Sequence, residues 1–174
     1  ISPIDFQIVE KNPTLNLLHK TTTTTELMVL NVQKEGLNNK NIRKAIHMAI
    51  DKSGILEAIF LNKGSIATSP INPNIFGSYQ NLKPIDNDIK KAKEIIANVT
   101  KEKKLPIFKI WTSENIVRVQ IAQIIQANLK EIGIESSIEI VEWGTFLKKT
   151  SEGVHDILLT TWILGVSDID TVVT

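Results

Sequence analysis

Three histidines, His19, His47 and His155, are the residues best suited to metal or proton chemistry, and their placement argues against both. They share no ligand spacing with each other or with a carboxylate motif, so no metal site is expected. His155 and Asp156 adjoin, yet successive strand residues point to opposite faces, whereas a base and its orienting carboxylate must converge. That pair reads as the start of a strand, and His47, beside an apolar helical stripe, as a packing residue. The eight glycines are scattered, with no G-x-S-x-G elbow, P-loop or G-x-G-x-x-G fingerprint. The absence of cysteine also excludes disulfides, thiolate metal sites and a cysteine nucleophile. No catalytic residue and no cofactor is expected.

The three tryptophans are more informative in a chain with only 5% aromatic residues. Trp111 ends LPIFKIW, Trp143 ends IEIVEW and Trp162 lies late in DILLTTWIL, each at the edge of a predicted strand. In open α/β sheets ligands gather outside the carboxyl ends of strands. An indole offers a large apolar face and one N–H donor for that purpose. Trp111 reads as core between sheet and helix; for Trp143 and Trp162, packing and ligand contact both fit.

The elements that must position these residues alternate along the chain. Pro3 to Glu10 suits a short helix broken at Asn12-Pro13. TTTTTELMVLNV, from Thr21, is β-branched and then apolar, as in a strand. After the polar turn GLNNK, Ile42, Ala45, Ile46, Ala49 and Ile50 mark a helix over Asn41–Ile55. Ser53 caps or kinks its continuation and Gly64 ends it. Ser65 to Pro84 reads as a long ordered loop. Asp86 then caps a helix with Ile89, Ala92, Ile96 and Val99 inward, and a strand follows from Leu105. Ser113 and Glu114 open a third helix, with Val117, Ile121, Ile124, Ile125 and Leu129 inward and Gly133 at its end. Ile134, Ser136, Ile138 and Ile140 alternate with polar residues as in a half-buried strand. A short helix at Thr145–Thr150 and a strand from Asp156 to Leu164 complete an α/β order, helices packed on a mixed sheet.

At 174 residues and 42% apolar content the chain can bury one core, and a net charge of +1 with interspersed signs disfavours nucleic acid as a partner. No apolar run reaches the roughly 18 to 20 residues of a membrane span. The chain opens on Ile1 and closes on TVVT without a polar tail, so a fragment of a longer protein is expected.

Several segments resemble the extracytoplasmic solute-binding proteins of peptide, nickel and related ABC importers. Arg43, Ala45, Ile46, Ala49, Ile50 and Asp51 match that family's R-x-A-[apolar]-x-x-A-[apolar]-[DN] helix. Ala122, Gln126, Leu129, Gly133, Ile134, Glu142, Trp143, Gly153, Asp156 and Trp162 follow its C-terminal pattern in order. Pro70 and Pro73 are similar to its proline-bearing loop, Ala92, Lys93, Ile95 and Ile96 to its A-K helix, and Thr22 to Asn31 to its crossing strand with a terminal Asn.

The resemblance implies the C-terminal lobe of a two-lobed periplasmic-binding-protein-like (type II) fold. Residues 1–24 would form a lobe-junction segment and 25–174 the truncated ligand-binding lobe, the other lobe being absent. It further implies ligand contacts at Thr24 (through backbone pairing), Trp143, Trp162 and Asp168. The ligand would be an oligopeptide or dipeptide, the partners ABC permease subunits, and the location extracytoplasmic with a lipid anchor. Two departures matter: Gly165 stands where peptide binders carry an ammonium-binding Asp, and Leu159 where some carry Arg. Asp168 and Asp170 match the following Asp-Pro-Asp turn with Ile169 replacing Pro. A nickel, metal-chelate or metallophore ligand is therefore the alternative. An α/β interaction module or a small enzyme would be a different class.

Overall fold

The computed structural model describes residues 3–18, 22–72, 78, 81–101 and 103–163. Six helices and four strands follow in the order α1 (Pro3–Lys11), β1 (Thr24–Leu30), α2 (Lys40–Ala49), α3 (Lys52–Phe60), α4 (Ile89–Val99), β2 (Phe108–Ser113), α5 (Ile116–Glu131), β3 (Ser136–Val141), α6 (Trp143–Ser151) and β4 (Ile157–Ile163). The sheet order is β1-β4-β2-β3. β2 runs parallel to both β3 and β4, and β1 pairs antiparallel with β4 from Thr24↔Ile163 to Leu30↔Ile157. The helices and mixed sheet expected from the sequence are thus present.

Strand parity divides the interior into two cores. Ile110, Ile157 and Leu159 join the buried residues of α2, α4 and α5 on one face. Trp111 and Leu158, one residue out of step, join Phe146 of α6 on the other. From β2 the chain crosses outward to β3 through α5, then returns past β2 to β4 through α6 on the opposite face. The reversal leaves the carboxyl ends of three parallel strands along one edge, and antiparallel β1 brings its own start there.

The stripe Ile42, Ala45, Ile46 and Ala49 is buried as its spacing predicts. Arg43 faces sideways and donates through Nη1 to the carbonyls of Leu37 (2.8 Å) and Asn38 (3.0 Å), closing the turn before the helix. The expected continuous helix through Ile55 is instead two. Ile50 is extended, Asp51 rather than Ser53 caps α3 by accepting from Gly54 N, and Asn128 Oδ1 of α5 accepts from Asp51 N. α3 also stops before Gly64, at Phe60, with Leu61 and Asn62 in the left-handed region. Likewise Asp88, not Asp86, caps α4, and Asn115, not Ser113 or Glu114, caps α5. In both cases the side chain nearest the first free N–H groups wins. Gly133, at φ +85°, ends α5 as expected: its N–H reaches Lys130 O and that of Ile134 reaches Leu129 O, a pairing that requires the left-handed conformation.

Asn31, just past β1, ties that edge strand to the turn before β4. Its Nδ2 donates to Gly153 O (2.9 Å) and His155 O (3.0 Å), while its backbone N–H donates to Asp156 O (2.9 Å). Asn31→Ala strands two partly buried carbonyls and is expected to cost about 1 to 3 kcal/mol. Asn31→Asp should cost more at neutral pH, because a carboxylate oxygen would then face both acceptors. Urea unfolding of the two variants checks this; equal stabilities would refute it.

Candidate functional site

The sheet's carboxyl edge gathers most of the residues singled out in the sequence. Trp162 lies one residue from the end of β4, its Cα opposite Thr25, on the face away from α2, α4 and α5. It is 38% exposed on this chain. Thr24 is the first residue of β1, opposite Ile163. Since β1 is an outer strand, its far side carries N–H and C=O groups with no strand partner among the described residues, as an extended ligand requires.

Trp143 does not end a strand as its sequence context suggested; it opens α6. Glu142 caps that helix, its carboxylate accepting from Gly144 N (2.8 Å) and Thr145 N (2.9 Å). Those backbone hydrogen bonds hold its carboxyl below the usual range. An acidic residue before Trp143 therefore aims the indole by fixing the start of the helix. The ring is 50% exposed and stacks on Phe146, centroids 5.5 Å apart at 16°. Phe146 is buried against Trp111 and Leu158. Trp143 follows β3 and Trp162 lies near the end of β4, with β2 between those strands in the sheet order.

Trp111 is only 7% exposed, with Lys149 Nζ 5.4 Å from its ring centroid. It is core, as read, although its core is the smaller one beneath α6. Asp168, Gly165 and His19 lie outside the described residues. Among the described residues no group of three or more His, Cys, Asp or Glu side chains is placed to hold a metal ion. His155 and Asp156 do not converge: the Asp156 carboxylate accepts from Lys109 N (2.9 Å) while His155 is buried with Nδ1 unpartnered.

Burial and then the charge of Lys34 push the His155 pKa down, against a smaller opposing effect of Asp156, and burial followed by Lys52 does the same at His47. Both imidazoles therefore take up protons less readily in the folded state than in the unfolded chain, which begins to protonate around pH 6.5. Stability should be full above that pH and fall as pH drops beneath it. Replacing both by Gln should flatten urea midpoints measured between pH 7.5 and 5.5; an unchanged slope would exclude the histidines as its source.

Reasoning from sequence missed a polar cluster on the opposite face of the same edge, formed by Glu26, Ser113, Arg118 and Thr161. Its one local signal is an arginine in the first turn of α5, where the helix dipole disfavours a cation.

A mixed sheet with α2, α4 and α5 on one face and α6 on the other, with aromatic side chains and an open strand at its carboxyl edge, is a partial lobe of a type II periplasmic binding protein. The chain belongs to the bacterial extracellular solute-binding proteins, family 5, whose middle-region model matches residues 1–174. This is a family of solute-binding proteins rather than enzymes. The chain is 30% identical over 165 residues to probable di/tripeptide-binding protein 5 of Pseudomonas aeruginosa, covering 92% of this chain and 31% of that protein. It is similar in structure, with TM-score 0.88 and 30% identity, to the ABC transporter-associated periplasmic binding protein DppA from Helicobacter pylori in complex with peptide STSA, covering 97% of this chain and 33% of that one. NikA from Staphylococcus aureus in complex with Ni(L-His)2 superposes with TM-score 0.76 and 25% identity, over 93% of this chain and 35% of the other. The chain thus spans about a third of the length of its relatives.

Proposed function

We propose that the chain forms most of the C-terminal lobe of a substrate-capture protein serving an ABC importer. Residues 1–24 lie at the lobe junction and residues from 25 onward form one wall of the cleft. The protein binds a short peptide outside the membrane, held there by a lipid anchor, closes by hinge motion and delivers the peptide to permease subunits without making or breaking a bond. The observation that carries this reading is the pair of exposed indoles at the sheet's carboxyl edge, Trp143 after β3 and Trp162 on β4, the latter next to edge strand β1. Backbone pairing along Thr24 and its neighbours accepts any sequence, and aromatic walls accept varied side chains. The peptide named with the Helicobacter pylori structure supports the same ligand class. In this reading Asp168 meets the peptide ammonium in place of a carboxylate at Gly165.

A metal-chelate ligand is the second reading, favoured by one observation. Gly165 offers no carboxylate for a peptide ammonium, a contact that a metal chelate does not need. Native mass spectrometry of the gently purified full-length protein separates the two. A ladder of peptide masses supports the first; a single mass with a metal isotope pattern replaces it with the second.

A further inference from the structure

The sheet splits before it reaches the site. β4 pairs with β2 only at Ile110↔Ile157 and Trp111↔Leu158, whereas its pairing with β1 continues to Thr24↔Ile163. Beyond Leu158, β1 and β4 therefore run on as a two-stranded ribbon, and Trp162 stands on it. An isolated ribbon is marginally stable in water and free to twist. Something must hold this one if Trp162 is to point in one direction.

Arg118 spans the split. From the first turn of α5 its Nη1 donates to Ser113 Oγ (2.8 Å), the last residue of β2. Its Nη2 donates to Thr161 Oγ1 (2.7 Å) on β4, and its Nε lies 3.3 Å from Glu26 Oε2 on β1. Thr161 Oγ1 in turn donates to Glu26 Oε1 (2.5 Å), so one guanidinium joins the ends of three strands. The arginine side chain is only 13% exposed. A planar fork with fixed donors suits this role and a lysine does not. Thr161 and Glu26 are directly paired and face the helices, while Trp162 and Thr25 are the next pair and face away. Fixing the rotation of β4 at Thr161 thus fixes the direction of Trp162.

We infer that Arg118 is the positioning residue of the ligand edge, setting the geometry of the ribbon that carries Trp162 and the open side of β1. The inference rests on the reading of this edge as the ligand site, but its test does not need the ligand to be a peptide. Amide hydrogen exchange of the full-length protein reads the ribbon directly. Arg118→Gln and Arg118→Lys should both accelerate exchange at residues 24–26 and 160–163 by about tenfold or more, with α2 and the paired parts of β2 and β3 unchanged. Thr161→Val, nearly isosteric, cuts one arm of the clasp and should give the same local pattern if the arginine variants fold poorly. Uniform acceleration across the sheet, or none at the ribbon, would overturn the assignment. Trialanine binding is measured alongside: where the wild type binds it, Arg118→Lys should weaken binding about tenfold or more. A wild type that ignores trialanine counts against the peptide reading, while the exchange pattern still decides the role of Arg118.

Discussion

Trp162→Ala is expected to weaken ligand binding by the full-length protein by about 2 to 4 kcal/mol, roughly 30-fold to 1,000-fold in Kd. The thermal unfolding midpoint should fall less than for a core tryptophan. The two effects separate because of where the indole stands. It is 38% exposed, at the end of a ribbon without β2 alongside, so the fold covers it only in part. A ligand that covers the ring removes that remaining apolar surface from water, a gain of roughly 25 cal/mol per Å². Titration calorimetry with the ligand found by mass spectrometry, beside a thermal melt, checks both halves. Unchanged affinity would remove Trp162 from the site and leave the exposed edge unexplained. Trp111→Ala is the contrast: that ring is buried against Phe146 and Leu158, so its loss should appear first in stability.

Local features carried most of the fold. The α2 stripe needed only a 3.6-residue period, and Gly133 only the left-handed stop it supplies to α5. Periodicity misled where a distant partner intervened. The apolar rhythm runs unbroken from Ile42 past Ile50, but Asp51 caps a new helix while its N–H is taken by Asn128, 77 positions along the chain. Alternation likewise placed Ile140 inward; it is 55% exposed, because β3 is an outer strand and no described element covers that end.

The site divides in the same way. The position of Trp162 near a strand end was legible in the strand pattern, while Thr24 was named only through the family resemblance. Trp143 was read as the end of a strand, whereas its direction comes from a helix capped by Glu142. The Arg118 clasp was out of reach, since its partners at positions 26, 113 and 161 meet only through sheet order.

Phe146→Ala should be the most damaging single change near the site. α6 has nine residues and buries one of them, Phe146. A helix that short is not stable in water by itself, so its place on the sheet depends on this ring lodging between Trp111 and Leu158. Truncation is expected to cost about 3 to 5 kcal/mol in urea unfolding. It should also raise amide exchange along α6 before the rest of the sheet is affected. Affinity should fall with it, because Trp143 rests on the Phe146 ring, and no other ring among the described residues stacks on it. Phe146→Leu refills most of the volume without the flat surface. It should therefore regain most of the stability but less of the affinity, and that split separates a core residue from one that also shapes the cleft. Equal recovery of both would mean that Trp143 is oriented by the Glu142 cap alone.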